Sequence, residues 1–142
     1  MGHERNKDTE RRLVAEALNR GNLAVLDDCL TPDFIYHGPG GTAVKGIAGY
    51  KKFLAGLRRA YPDIHIEIEN ILGEGDLVAT RTLCTFTARG QRPGSIKLAG
   101  SVLDRFAGGK IAETWEQYDR LDLYRQLGLI PANPRRDKGV RR

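Results

Sequence analysis

Leu13, Val14, Ala17 and Leu18 recur at helical spacing behind a polar start, with Asp8 or Thr9 as the expected cap and Gly21 as the stop. Asn22 opens a shorter expected helix carrying Leu23, Leu26 and Leu30, stopped by Thr31-Pro32. Phe34 to His37 reads as a brief strand, and GPGGTAVKG as a flexible loop. From Ile47 to Tyr61 the apolar positions Ile47, Tyr50, Phe53, Leu54 and Leu57 predict a third helix, ended by Pro62.

Beyond Pro62 the period drops to two. In DIHIEIENIL, Ile64, Ile66 and Ile68 alternate with His65, Glu67 and Glu69, which predicts a strand with one wet face. Gly73-Glu74-Gly75-Asp76 turns the chain into LVATRTLCTFTA, rich in β-branched residues and read as a long strand. RGQRPGS is a loop, IKLAGSVLDRFA a further strand, and Gly108-Gly109 a hairpin turn. Lys110 to Tyr118 is then a last strand antiparallel to its predecessor, and Asp119 caps a short final helix. On that strand Ala112, Thr114, Glu116 and Tyr118 share one face, and Glu113, Trp115 and Gln117 the other.

Helices followed by a mostly antiparallel sheet define an α+β class. A sheet curled around N-terminal helices has a concave face, a natural place for a pocket. A single domain over residues 1–132 is expected, with a basic, disordered tail over 133–142.

Charge modifies this picture only at one end. The net charge of +5 is concentrated in NPRRDKGVRR, and the body offers no basic stripe interleaved with aromatics. Nucleic acid therefore ranks last among partners. No apolar run reaches the ~20 residues of a membrane span, and MGHERNKDTERR lacks the apolar core of a signal peptide. The expectation is a cytoplasmic protein with no membrane partner. Cys29 and Cys84 lack CxxC spacing and read as small core residues in a reducing compartment. The three histidines have no metal-ligand spacing, so no metal site is expected.

A set of ordered short motifs narrows the fold. They are Phe34 with His37; Gly46 with Tyr50 and Phe53; Tyr61-Pro62-Asp63; Gly75-Asp76-Leu77-Val78-Ala79; Arg105-Phe106; Gly109-Lys110-Ile111; Trp115; Asp119; and Arg125-Gln126-Leu127-Gly128. In this order and spacing the chain, from about Arg11 to Pro131, resembles the SnoaL-like polyketide cyclases of the nuclear-transport-factor-2-like superfamily. The resemblance implies a cone-shaped curved sheet around an apolar cavity, a homodimer, and a cofactor-free ring closure of a polyketide ester by intramolecular aldol condensation. Such chemistry asks the protein for a base, a dry shaped pocket and an oxyanion donor.

The cyclases place an Asp on the last strand five residues after the Ile of the Gly-Lys-Ile turn, which here is Glu116. They place a His three residues before the Arg of the preceding strand, which here is Val102. Asp104 shares parity with Val102 and is a replacement polar group. The Gly-Thr-His stretch of many members reads Cys84-Thr85-Phe86, and the following loop is shortened.

Glu116 is thus the expected base, assisted by Asp104, with Tyr118, Val102, His37 and Arg81 as substrate contacts. Each has a plainer reading. Glu116 could sit on the outer face, since one β-bulge flips the parity. His37 could bond backbone at a strand end, and only one of Tyr36 and His37 can face inward. Arg81 could pair with Glu116 or Asp104, or lie in water on an edge strand. Asp119 reads as a cap, Glu113 as a surface residue and Trp115 as a packing anchor.

Two functions follow. One is a cofactor-free small-molecule enzyme of the cyclase or isomerase type, acting on an activated C–H. The other is a non-catalytic binder of a small apolar or polyketide-like ligand, or a dimerisation module. The limonene-type epoxide hydrolases of the superfamily need Arg and Asp two apart on the middle strand; Arg81-Thr82-Leu83 does not supply them.

Overall fold

The computed structural model describes residues 2–131. The expected basic tail over 133–142 lies outside the described residues.

The chain opens with α1 (Gly2–Arg12), which starts well before the expected cap. Asp8 is not a cap: its carboxylate pairs with Arg11 one turn on, at 2.9 Å. The Thr9 hydroxyl donates back to the Arg5 carbonyl at 3.2 Å. Both residues are therefore satisfied inside the helix. The outwardly polar sequence of α1 carries a buried stripe, Asn6 and Glu10, that continues into Leu13 and Ala17. Leu13–Asn19 is a π-helical turn, a widened geometry that recurs at functional sites. At its end the Asn19 side chain pairs with the Ile66 backbone in both directions, at 2.7 and 2.9 Å, and fixes the helix to the sheet edge.

A 3₁₀ turn and the single-turn α2 (Leu26–Cys29) follow. Strand β1 (Leu30–His37) begins four residues earlier than its apolar run predicted, so Leu30 belongs to the sheet. Its pairing with β6 slips between Leu30 and Ile35, around Pro32, which has no N–H to give the ladder. The Gly/Pro segment expected to be a loop contains β2 (Ala43–Lys45), which folds back on β1. Helix α3 (Gly46–Ala60) matches its periodicity. The strands β3 (His65–Glu74), β4 (Leu77–Phe86), β5 (Ile96–Ala107) and β6 (Lys110–Tyr118) form antiparallel neighbours, and α4 (Arg120–Gln126) ends the described chain. The Asp119 carboxylate caps α4 by accepting from the Asp122 N–H at 2.9 Å.

The sheet order is β2-β1-β6-β5-β4-β3, mixed because β1 and β6 run parallel. It is a curved, unclosed sheet with α1 and α3 against one face, an α+β cone. Two bulges adjust the predicted alternation. One at Glu69 moves the inward position to Ile71. The other, at Ala112, leaves Ile111 buried where Ala112 was expected to face inward with Thr114. The ladder is regular from Glu113 onward, so the parity of Thr114, Glu116 and Tyr118 holds.

Leu26, Leu30, Phe34, Val78 and Ile111 anchor the main core under the helices. Ile64, Phe86, Ala88 and Ile96 form a second cluster, with Tyr61 against Phe86 at 4.3 Å between ring centroids.

Candidate active site

Between sheet and helices lies a cavity of about 340 Å³ whose walls draw on both clusters. Strand register decides which polar groups reach it. Asp104 on β5 lies opposite Thr114 on β6, and Thr114 lies beside Tyr36 on β1. One step along, Val102 lies opposite Glu116, and Gly100 opposite Tyr118. All of these except Gly100 present side chains to the cavity, and α1 adds Glu10 from the other side.

The Tyr36 hydroxyl donates a short hydrogen bond to the Glu116 carboxylate. Burial raises the Glu116 carboxyl above the ordinary range; the Tyr36 bond opposes this, and the charge of Asp104 adds to it. Asp104 is 1 % exposed and accepts from the Thr114 hydroxyl at 2.5 Å. Its other oxygen, Oδ2, receives nothing from any N–H or hydroxyl. The Glu10 carboxyl, 4 % exposed, is within hydrogen-bonding reach of the Asp104 side chain. Burial, then the charge of Asp104, pushes Glu10 well above the carboxylate range. Asp104 is raised by burial, against the pull of Glu10 and Thr114. Tyr50 and Tyr118 are raised by burial and by Glu116. Cys84 packs against the second cluster and also lines the wall, its thiol pushed up to about 11 by burial and by Glu116, which leaves it a poor nucleophile.

Among the described residues, no Lys, Arg or His lines this cavity. Three carboxyls, with hydroxyls and apolar walls, can accept or give protons but cannot balance an anion.

Four of the expected site residues, Glu116, Asp104, Tyr118 and Val102, meet here. The other two do not. His37 lies on the outer sheet face, 2.6 Å from Glu113 through Nε2 and stacked on Trp115 at 5.6 Å between centroids. Tyr36 took the inward place. Arg81 also points outward, from an interior strand rather than an edge, and pairs with Glu69 at 3.3 Å. Its parity on β4 is opposite to that of Thr82 and Cys84, so it reaches neither Glu116 nor Asp104. Arg105 completes the outer group, 3.2 Å from Glu113.

Glu10 and Tyr36 were missed by the sequence reading. Glu10 had a usable signal: it stands three and seven residues before Leu13 and Ala17, on the apolar stripe. Tyr36 carried only its parity, which did not say which way the strand faced.

The sequence pattern of the SnoaL-like polyketide cyclase family matches residues 9–127. This chain belongs to the SnoaL-like polyketide cyclase family. Solved structures agree. A SnoaL-like protein from Jannaschia sp. CCS1, assigned as a polyketide cyclase, is similar with a TM-score of 0.80 and 26 % identity, covering 91 % of this chain and 95 % of that one. IdmH of Streptomyces antibioticus, also assigned as a polyketide cyclase, gives 0.76 and 29 % over 87 % and 98 %. A further assigned polyketide cyclase, from Bacillus cereus, gives 0.77 and 30 % over 89 % and 83 %. Among curated proteins, none matches. Within the family frame, Val102 directly faces the last-strand carboxylate, so this SnoaL-like cavity has an apolar side chain where the resemblance places a His.

Proposed function

We propose that the protein is a cofactor-free cyclase-type enzyme in which Glu116 is the general base for an activated C–H bond of a polyketide-like ligand. The observation that carries this is the Glu116 carboxyl, turned into the cavity, desolvated and held by the Tyr36 hydroxyl. A desolvated carboxylate is a stronger base than one in water, and a hydrogen bond to Tyr36 fixes its direction.

The step begins with the carboxylate taking a proton from carbon between two carbonyls. The electron pair left behind is shared by those carbonyls and then forms the ring-closing C–C bond at a third carbonyl carbon. That carbonyl's oxygen becomes an alkoxide and takes up a proton. Asp104 assists from the same wall, and Tyr118 and Val102 shape the space beside Glu116. Water exclusion by the walls keeps the carbanion from being quenched.

The same reading includes a cytoplasmic homodimer. Supporting it, no helix among the described residues is long and apolar enough to cross a membrane. On the outer sheet face His37, Trp115, Leu103, Ala79 and Leu72 form one row across five strands. Leu72, Leu103 and Trp115 are 70 %, 37 % and 37 % exposed in the single chain, a patch suited to a second copy.

The test is turnover of polyketide esters, followed by product mass, in the native protein and in Glu116→Gln. Loss of product with a retained fold supports the enzyme. Tight binding of the ester without turnover in either protein would replace it with the second reading, a small apolar-ligand binder. That reading is favoured by Val102, which leaves the cavity without an imidazole among the described residues.

A further inference from the structure

We propose that Glu10 and Asp104 are a proton-sharing carboxyl pair, and that the Glu10 acid is the hydrogen-bond donor this cavity offers to the carbonyl oxygen of a neutral ligand. This deepens the cyclase reading and rests on it for the chemical step.

Geometry carries the inference. Asp104 is almost wholly buried, Thr114 satisfies Oδ1, and Oδ2 has no N–H or hydroxyl directed at it. A buried oxygen left in that state costs on the order of 1–3 kcal/mol, more when charged. The Glu10 carboxyl interacts with the Asp104 side chain and is delivered by α1 just before the π-helical turn. Two carboxylates cannot be buried side by side as anions, and a single shared proton both removes one charge and supplies the missing donor. Both residues line the cavity, so the pair is not sealed in the core. Carboxylic acids kept neutral by an apolar site do serve as hydrogen-bond donors to oxyanions.

The wall also limits the ligand class. With three carboxyls and no cationic side chain among the described residues around the space, a carboxylate or phosphate ligand meets repulsion. A neutral ketone or ester meets a donor. In the aldol step, Glu116 takes the carbon-bound proton and returns it to the alkoxide oxygen, while the Glu10 acid turns its O–H toward that oxygen and keeps its proton. The pair therefore never holds two anions, and Glu116 ends as the carboxylate it began as.

The experiment uses infrared difference spectroscopy on the full chain at neutral pH, with carbonyl-labelled 1-tetralone as an unreactive neutral probe and 2-naphthoate as its anionic counterpart. The expected result in the free protein is one protonated-carboxyl band that is shifted or lost in both Glu10→Leu and Asp104→Asn, the signature of a proton held by the two together. The bound tetralone carbonyl shifts to lower frequency, and Glu10→Leu removes the shift and weakens binding about tenfold, the scale of one hydrogen bond. Naphthoate binds at least tenfold more weakly than tetralone. Absence of the protonated band, no tetralone binding, an unshifted carbonyl, or naphthoate binding as well as tetralone would each overturn the pair. Should Glu10→Leu not fold, Asp104→Asn carries the free-protein measurement alone. The readout needs no turnover: a shifted carbonyl with an inert enzyme retains the pair and removes the cyclase, whereas turnover that needs Glu116 with an unshifted carbonyl does the reverse.

Discussion

Tyr36 and Glu116 come from strands that run parallel, β1 and β6, and meet through one hydroxyl-to-carboxylate hydrogen bond at the cavity wall. The Tyr36 ring is held from behind by Tyr50 and Phe53, with centroids at 5.4 and 5.3 Å. The donor is therefore positioned by aromatic packing that does not depend on the hydrogen bond itself.

Tyr36→Phe keeps that packing and deletes the donor. Because the bond favours the charged carboxylate, the Glu116 carboxyl rises further. The expected outcome is an acid limb of the pH–rate profile displaced to higher pH, with the melting temperature little changed. An unmoved acid limb would separate Glu116 from the titrating base.

Glu116→Gln removes the base and retains the shape. Turnover should fall by roughly 10²–10⁴, the range of a positioned general base. Stability should hold or rise, because the substitution removes a desolvated carboxyl. Steady-state rates beside a thermal melt check both parts.

Val102→His returns an imidazole to the position facing Glu116. A protonated neighbour favours the carboxylate, so the acid limb should move to lower pH, opposite to Tyr36→Phe. The two variants together give a signed test of one group.

Glu10, Asp104 and Glu116 all hold protons more tightly in the folded chain than in the unfolded one. Facing them are Cys29, Cys84, Tyr36, Tyr50 and Tyr118, all raised as well, and, among the described residues lining the cavity, no cation. Groups raised on folding add stability that is complete below their unfolded values and is lost as pH rises through their folded values. Glu4, Asp63 and Glu113 are lowered and act in the opposite sense at acid pH, but they are solvent-screened. The melting temperature should thus be higher at about pH 5 than at about pH 8, with a shallower slope in Glu10→Gln. A flat profile would place the three carboxyls in water.

Leu103→Lys puts a charge at the centre of the outer row, between Ala79 and Trp115. Sedimentation should report a dimer for the native chain and a monomer for the variant, with ligand binding unchanged because Leu103 lies on the face away from the cavity. A native monomer would leave the row exposed in solution.

Much of this protein was legible in its residues. Period-two alternation from Ile64 onward, the Gly108-Gly109 hairpin and the regular spacing of Thr114, Glu116 and Tyr118 determined the strands and the face that these three residues share, because a strand offers a side chain only two faces. The Asp119 cap was equally local, a carboxylate reaching an N–H three residues away. The tertiary structure decided the rest. The bulges at Glu69 and Ala112 depend on a partner strand that the sequence of one strand does not name. Tyr36 rather than His37 entered the cavity because β1 lies beside β6, 80 residues away from Tyr36 to Glu116. Arg81 stayed in water because its parity was fixed by a shared ladder with β3 and β5. Glu10, in a segment that reads as a solvated helix, became buried against Asp104 only when α1 packed on the sheet. Local pattern sets which residues share a face; which face meets which, and so which charges are desolvated together, is set by contacts between distant segments.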